Sequence, residues 1–348
     1  MISTIIQEDI DSIIKEDLPW EKFKGKTILI TGANGFLPAY LSYVFIYLNK
    51  LKNYDIKLVL LCRNKERAEL KFSQFLEDRN IQLLIHDVNQ PISIEQGIDI
   101  VIHAASQASP RFYGVDPVGT INANIIGTSN LLQLAHQKKC EAFLYFSSSE
   151  VYGVSNMEGE PIAENDYGYM DPTNVRACYG EGKRAGETLC VSWMHQYGVP
   201  IKIVRPFHTY GPGMDLKDGR VYADFISDLV NNKDIEMKSD GLAVRAFCYL
   251  KDATLGFIYI LLRGENGQAY NLGNINGRSS IIELAQKLVN LFPEKKIKLI
   301  KKEVSNQNYI KSLVNINIPN STKLCDLGWN PTTIIETGFK RTVLSYTI

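Results

Sequence analysis

Short runs of apolar, mostly branched residues alternate along the first two thirds of the chain with longer segments in which apolar positions recur every three or four residues. The short runs predict buried strands, and the longer segments predict amphipathic helices. Strands are predicted at 26–31, 56–62, 81–86, 99–104, 142–147 and 201–205, and helices at 36–48, 65–77, 120–138 and 179–197. Because strands that alternate with helices form parallel sheets, we expect an α/β fold with a Rossmann-type doubly wound sheet.

Two segments depart from this alternation. Residues 1–24 are acidic and carry isoleucines at helical spacing, which predicts a helical appendage packed on the body of the protein. Beyond residue 211, turns rich in Gly, Asp and Pro separate helices predicted near 221–231, 280–291 and 334–345. We expect a dinucleotide-binding domain over 25–210, with returning segments near 242–275, and a smaller substrate-binding α/β domain over most of 211–348.

Composition argues against several classes of protein. The chain has 348 residues, and its 38 basic side chains balance 38 acidic ones, so no excess positive charge is present to hold nucleic acid. No apolar run approaches the roughly 20 residues of a membrane span, and the acidic start is unlike a signal peptide. We expect a cytoplasmic protein with no membrane partner. The six cysteines are scattered, which predicts reduced thiols and no metal site.

A glycine loop, Thr31-Gly-Ala-Asn-Gly-Phe36, follows the first predicted strand and precedes the first long helix. Glycines at this point let the backbone approach a pyrophosphate, and the helix N-terminus supplies partial positive charge. Pro38 stands where a third glycine is usual, but proline is tolerated in a first helical turn, so the helix should still form. We expect a nicotinamide dinucleotide to be held by Gly32, Asn34, Gly35, Phe36 and Leu37.

The end of the second strand leaves the choice between NAD and NADP open. An acidic residue usually binds the adenosine ribose of NAD there, whereas this chain has Cys62-Arg63-Asn64. Arg63 would either pair with the 2′-phosphate of NADP or stack on the adenine of NAD. We expect NAD, with NADP as the alternative that Arg63 leaves open.

Tyr179 and Lys183 lie one helical turn apart on the same predicted helix face. A nearby cation would lower the pKa of the phenol, so that it could take a proton from an alcohol. The spacing alone is weak evidence. Ser148 strengthens it, because the strand at 142–147 delivers this serine at the carboxyl edge of the sheet, where doubly wound folds place their sites.

Eight segments carry a family resemblance, of which Arg176-Ala-Cys-Tyr-Gly-Glu-Gly-Lys-Arg184 is the most specific. The others are His86–Val88, His103–Pro110, Asn124–Thr128, Ser148–Gly153, Asp218–Val221, Arg245–Phe247 and Asn271–Gly273. Over residues 26–342, the chain resembles the extended short-chain dehydrogenase/reductase family of nucleotide-sugar epimerases and dehydratases, and most closely its UDP-glucuronate decarboxylases.

The resemblance also implies roles for residues that cannot be predicted from motif spacing. It implies that the cofactor also contacts Asp87, Val88, Ala104, Ala105, Ser106 and Asn124. It implies that the substrate contacts Ser109, Tyr113, Arg176, His208, Arg220, Val221 and Arg245, although the family usually has asparagine at position 208. A homodimer through the helices at 120–138 and 179–197 is expected on the same ground.

The resemblance also implies a reaction. Tyr179, assisted by Lys183 and Ser148, would remove the proton of the sugar C4 hydroxyl while a hydride leaves for the cofactor. In a glucuronate the resulting ketone is β to the carboxylate, so CO2 can leave to give UDP-xylose or a 4-keto-pentose. Ser149 and Glu150 would manage the carboxylate and the proton added at C5.

Three alternatives stay open. A 4,6-dehydratase begins with the same oxidation, but many such enzymes carry an aspartate where this chain has Ser149. An NADPH-dependent 4-keto-sugar reductase would suit Arg63 and His208. A cofactor-binding regulator without activity is a different class, since fold does not imply function. The intact set of Tyr179, Lys183 and Glu150 argues against that last alternative.

Overall fold

The computed structural model describes residues 2–154, 159–302 and 315–347. The elements up to the sixth strand are α1 (Thr4–Ile14), β1 (Thr27–Thr31), α2 (Phe36–Lys52), β2 (Lys57–Cys62), α3 (Lys65–Phe72), β3 (Ile81–Ile85), β4 (Ile100–His103), α4 (Pro117–Lys138), β5 (Ala142–Phe146), α5 (Ala177–Tyr197) and β6 (Ile201–Pro206). The later elements are β7 (His208–Tyr210), α6 (Val221–Val230), β8 (Ile235–Met237), β9 (Val244–Tyr249), α7 (Leu250–Arg263), β10 (Ala269–Leu272), β11 (Arg278–Ser280), α8 (Ile281–Leu291), β12 (Leu299–Lys301), β13 (Ile316–Asn317), α9 (Thr322–Cys325) and α10 (Ile335–Leu344).

A parallel sheet of seven strands forms the centre of the fold, in the order β10-β6-β5-β4-β1-β2-β3. Its central strands are fully buried because helices cover both faces, as their continuous apolar runs require. The strand order reverses between β1 and β4, where doubly wound sheets bind ligands at the carboxyl ends of the strands. The predicted doubly wound α/β fold is confirmed.

The seventh strand of this sheet comes from late in the chain. β10 pairs with β6 in parallel, with Asn271 opposite Arg205. The preceding helix α7 is almost entirely buried and packs on α2, which accounts for the apolar run at 253–262. The segment from 250 to 272 therefore completes the dinucleotide-binding sheet.

One predicted helix is shorter than expected. The pattern at 65–77 gives an α-helix only as far as Phe72, and a 3-10 turn at Ser73–Phe75 follows. This turn buries Phe75 against the core. Apolar spacing alone does not distinguish such a turn from a last helical turn.

A second lobe is built around β9, which pairs with β7, β11 and β13, while β8 pairs with β12. Helices α6, α8 and α10 pack together on these strands. At the centre of this lobe Tyr210 and Phe339 stack with ring centroids 3.8 Å apart. The lobe therefore has its own apolar core.

Helix α1 lies against α2 and α7 and buries Ile10, Ile13 and Ile14. Within the described ranges, the structure has no helix that is both long and apolar enough to span a bilayer.

Candidate active site

A cleft of about 500 Å³ opens at the carboxyl ends of the central strands and extends to the start of α6. Its walls include most of the residues predicted for the cofactor, the chemistry and the substrate. Most come from the loops after β1, β2, β3, β4, β5 and β6, and the others include two residues of α5 and five residues between β7 and the first turn of α6 (Met214, Asp215, Asp218, Arg220 and Tyr222). The cleft thus lies where the sheet topology predicts a site.

Gly32 and Gly35 form the floor of the cleft beneath the N-terminus of α2. Gly32 has φ of +63°, and a Cβ atom there would lie only 2.9 Å from Cα of Ala105. Gly35 precedes α2 without a side-chain cap, so the helix begins with donors that no side chain satisfies. This arrangement fits the pyrophosphate of a dinucleotide, with Asn34, Phe36 and Leu37 also in the wall.

Pro38 lies in the first turn of α2 and lines the same part of the cleft. The helix continues from Phe36 to Lys52, so the prediction that proline is accommodated is confirmed. The carbonyl oxygen of Pro38 accepts a hydrogen bond from Ser42 Oγ at 2.8 Å.

Arg63, Asp87 and Val88 line one end of the cleft, after β2 and β3. Asp87 Oδ1 accepts a hydrogen bond from the backbone nitrogen of Asn89 at 2.9 Å. Arg67 and His86 also line this end and were not predicted as site residues, although His86 belongs to one of the family segments. The available signals were the place of Arg67 in the first turn of α3 and that of His86 directly after β3.

Ala104, Ala105 and Ser106 continue the wall after β4. Ala105 donates its backbone N–H to Thr31 Oγ1 at 3.1 Å, and Thr31 also contacts His103 Nδ1 at 2.9 Å. These bonds hold the loops after β1 and β4 side by side. The buried hydroxyl of Ser106 has no hydrogen-bond partner among the described residues, so a bound ligand would provide one.

Tyr179 and Lys183 lie on the face of α5 that lines the cleft, and both are almost fully buried. Lys183 Nζ donates to the carbonyl oxygen of Phe146 at 2.5 Å and lies 5.8 Å from the centre of the Tyr179 ring. Ser148, directly after β5, lies close enough to hydrogen-bond the Tyr179 hydroxyl. The structure therefore brings the three predicted residues together.

Burial controls the proton affinities of this pair. It raises the pKa of Tyr179 to about 12, and the hydrogen bond with Ser148 only partly opposes the increase. It lowers the pKa of Lys183 to about 7, and the carboxylate of Glu187 partly opposes that decrease. The expected lowering of the Tyr179 pKa is thus not found in the protein alone, because desolvation outweighs the hydrogen bond with Ser148 and the positive charge of Arg220.

Ser149 and Glu150 follow Ser148 in a 3-10 turn and also line the cleft. The Glu150 carboxylate lies 3.5 Å from the guanidinium of Arg176. Tyr113 stacks on the ring of Tyr179, with centroids 5.2 Å apart and planes 15° from parallel. A carboxylate, a hydroxyl and a phenol thus surround the part of the cleft next to Tyr179.

Two loops meet across the other end of the cleft. Ser109 Oγ donates to the carbonyl oxygen of Asp218, and Arg220 donates to the carbonyl oxygen of Ala108 at 2.9 Å. Arg220 also forms an ion pair with the Asp218 carboxylate at 2.6 Å. Arg111, which the sequence analysis did not identify, joins the same loops through its ion pair with Asp215 at 3.1 Å.

Four predicted residues are not part of the cleft wall. Asn124 is buried in α4 and donates to the carbonyl oxygen of Thr120 at 2.9 Å. Arg176 reaches the site through Glu150, and Val221 is the first residue of α6. Arg245 donates to two backbone carbonyl oxygens, at 2.8 Å and 2.9 Å. Contacts of these four with a ligand stay predictions.

Glu187 is a supporting residue that the sequence analysis missed. It lies four residues beyond Lys183 on the same helix face, and that spacing was the available signal. Arg205 donates to both of its carboxylate oxygens, at 2.8 Å and 2.6 Å, and Ser147 Oγ donates to it as well. This buried pair fixes α5 against β5 and β6, next to the candidate catalytic residues.

Residues 28–273 match the NAD dependent epimerase/dehydratase family. The chain belongs to this family. The predicted family resemblance is therefore confirmed.

Curated members of the family resemble the chain over most of its length. It is 34% identical to UDP-glucuronic acid decarboxylase 5 of Arabidopsis thaliana over 314 residues, which are 89% of this chain and 86% of the plant protein. It is 32% identical to UDP-glucuronic acid decarboxylase 1 of Danio rerio over 327 residues, which are 91% of this chain and 72% of the fish protein.

Solved structures of the family share the fold. A UDP-glucuronic acid 4-epimerase from Bacillus cereus, solved with UDP-glucuronic acid and NAD, has a TM-score of 0.77 at 22% identity, with 92% of this chain and 99% of that chain covered. A dTDP-glucose 4,6-dehydratase from Bacillus anthracis, solved with NAD, has a TM-score of 0.74 at 19% identity, covering 92% and 96% respectively.

Proposed function

We propose that the protein is an NAD-dependent UDP-glucuronate decarboxylase. The observation that carries the proposal is the convergence of Tyr179, Ser148 and Glu150 on one cleft, with Ser149 rather than a carboxylic acid between the last two. The similarity to decarboxylases over about nine tenths of the chain supports this choice of reaction.

NAD fits the glycine floor and the α2 N-terminus, with Arg63, Asp87 and Val88 towards its adenosine end. When bound, NAD accepts a hydride from the sugar and returns it, and its oxidised ring carries a positive charge. We propose that Arg63 stacks on adenine in this complex rather than pairing with a 2′-phosphate.

Tyr179 removes the proton of the C4 hydroxyl, and Ser148 holds that hydroxyl in line with the phenol. Since burial raises the pKa of Tyr179 to about 12, its phenolate needs added positive charge or a strong hydrogen bond in the working complex. Lys183 supplies the nearest ammonium group, and Glu187 favours its charged form.

The resulting 4-ketone is β to the C6 carboxylate, so the C5–C6 bond breaks and its electron pair enters the carbonyl as CO2 departs. A proton added at C5 restores the ketone, and Glu150 with Ser149 positions the carboxylate and that proton. Tyr179 would then return its proton to O4, and with C4 reduced by the bound cofactor the product would be UDP-xylose. Release before this step would give the 4-keto-pentose and leave the cofactor reduced.

A homodimer and a cytoplasmic location belong to the same proposal. Helices α4 and α5 pack closely and expose Ile126, Val191 and Tyr197, apolar side chains suited to a helix-to-helix contact with a second copy. The cytoplasm supplies both NAD and nucleotide sugars.

The deciding experiment incubates the purified protein with UDP-glucuronate, with and without added NAD, and follows the products by mass spectrometry. We expect loss of CO2 to a UDP-pentose. Loss of water from UDP-glucose or dTDP-glucose, with UDP-glucuronate untouched, would instead assign a 4,6-dehydratase.

A further inference from the structure

His208 is the first residue of β7, and its imidazole lines the cleft. The ring lies edge-on to Tyr222 and Phe247, with centroids 6.3 Å and 6.1 Å away. Its Nδ1 atom is buried and has no hydrogen-bond partner among the described residues. An unsatisfied buried polar atom costs free energy. A ligand that supplied a hydrogen-bond partner to this nitrogen would remove that cost.

Two guanidinium groups act on this ring, and that of Arg220 is also paired with the Asp218 carboxylate. Arg220, the N-cap residue of α6, and Arg245, on β9, both act on it electrostatically, while Tyr222 is the titratable side chain that packs against it from α6. Burial lowers the pKa of His208 well below its usual value, and the two guanidinium groups lower it further. The imidazole is therefore neutral near pH 7 in the protein alone.

The diphosphate of a nucleotide sugar carries two negative charges, and arginine guanidinium groups bind such oxygens. The glycine loop is proposed to hold the dinucleotide and Tyr179 to face the sugar, which leaves the part of the cleft lined by His208 and Arg220 for this group. Negative charge there would offset the two arginines and favour an imidazolium, whose second N–H could bind a phosphate oxygen.

We propose that His208 takes up a proton as the diphosphate of the nucleotide sugar binds beside Arg220, so that this side chain couples substrate affinity to pH. The inference rests on the proposed function, because it takes a nucleotide sugar as the ligand. Since the bound form holds one proton more than the free form, affinity falls as the pH rises, until the bound imidazolium also loses its proton.

Isothermal titration calorimetry with UDP-glucose tests this coupling, because UDP-glucose has no group that titrates near neutral pH and no carboxylate to lose. Titrations of the NAD-loaded protein in two buffers of different ionisation enthalpy measure the protons taken up. We expect uptake of a substantial fraction of one proton per site at pH 7, and an affinity loss of about tenfold between about pH 6 and about pH 8. His208→Asn should abolish both effects, whereas His195→Asn, the same change at an exposed position, should abolish neither.

Binding without proton uptake, equal uptake by His208→Asn, or no binding of UDP-glucose would each overturn the inference. Release of CO2 from UDP-glucuronate is measured separately. Decarboxylation without coupled proton uptake would contradict only the role of His208, and coupled uptake without decarboxylation would contradict only the proposed reaction.

Discussion

Two buried carboxylates serve different parts of this molecule. Glu187 lies inside the dinucleotide-binding lobe, below the catalytic face of α5, where it binds Arg205 at two points. Asp9 lies on the N-terminal helix between the lobes and accepts hydrogen bonds from Tyr40 at 2.7 Å, Tyr249 at 2.6 Å and Arg341 at 2.8 Å. The first cluster supports the catalytic wall, and the second joins α1, α2, β9 and α10.

The two clusters differ in how far water reaches the basic partner. The side chain of Arg205 is 2% exposed, whereas that of Arg341 is 27% exposed and also pairs with Glu8. An unpaired buried charge costs far more than one that water can solvate. The comparison indicates that losing one partner from the Glu187 cluster lowers the free energy of unfolding more than losing one from the Asp9 cluster.

The largest expected effect concerns the face of α5 that Glu187 supports. Tyr179→Phe removes the proposed acid–base group, so we expect turnover of UDP-glucuronate to fall by about 10² to 10⁴-fold with substrate affinity nearly unchanged. Steady-state kinetics and calorimetry measure the two quantities. Tyr197→Phe, at the exposed end of the same helix, is the control and should keep its activity. Unchanged turnover in Tyr179→Phe would remove this tyrosine from the chemistry.

Glu187→Leu tests the buried pair itself. The substitution leaves the Arg205 guanidinium buried without its carboxylate, so we expect a loss of about 3–5 kcal/mol in the free energy of unfolding, measured in urea. Adding Arg205→Met should recover most of the loss, because the unpaired charge is then removed. A loss below about 1 kcal/mol in the single variant would contradict this account.

Asp9→Asn should cost less, about 1.5–3 kcal/mol, because charge-assisted hydrogen bonds weaken but water still reaches Arg341. Burial raises the pKa of Asp9, although the hydrogen bonds from Tyr249 and Tyr40 oppose the increase, so removing the charge also relieves a desolvation cost. Urea unfolding measures the loss, and Asp17→Asn at an exposed position is the control. A loss equal to that of Glu187→Leu would remove the contrast between the clusters.

The smallest effect is a pH dependence of the free energy of unfolding that comes from Lys183, next to the Glu187 cluster, and not from the Asp9 cluster. Since burial lowers the pKa of Lys183 to about 7, the unfolded chain binds more protons than the folded one between pH 7 and the ordinary lysine pKa. Lys183 should therefore add about 2 kcal/mol to the free energy of unfolding between about pH 7 and about pH 9. Lys183→Met should flatten this slope and Asp9→Asn should keep it. A slope retained in Lys183→Met would assign it to another group.

Much of the site was predictable because its parts are local. Three motifs can be recognised from the spacing of neighbouring residues alone. They are a glycine loop between a strand and a helix, a serine at a strand end and a tyrosine one turn before a lysine. Glu187 was not predicted because its partner, Arg205, lies on β6, beyond the end of α5, although its spacing from Lys183 was a signal. Arg111 was not predicted as a site residue because its partner, Asp215, lies about a hundred residues away along the chain.

The sequence by itself determined the alternation of strands and helices, the family and the candidate residues of the site, since apolar periodicity and turn residues act over a few neighbours. The returning segment near 242–275 was expected from the sequence, but only the tertiary structure decided that residues 269–272 pair with β6 and that Asp9 joins the lobes. It also decided the direction of the Tyr179 pKa. The physical reason is that desolvation and long-range pairing depend on which distant segments pack against a side chain. The spacing of residues along the chain does not specify those segments.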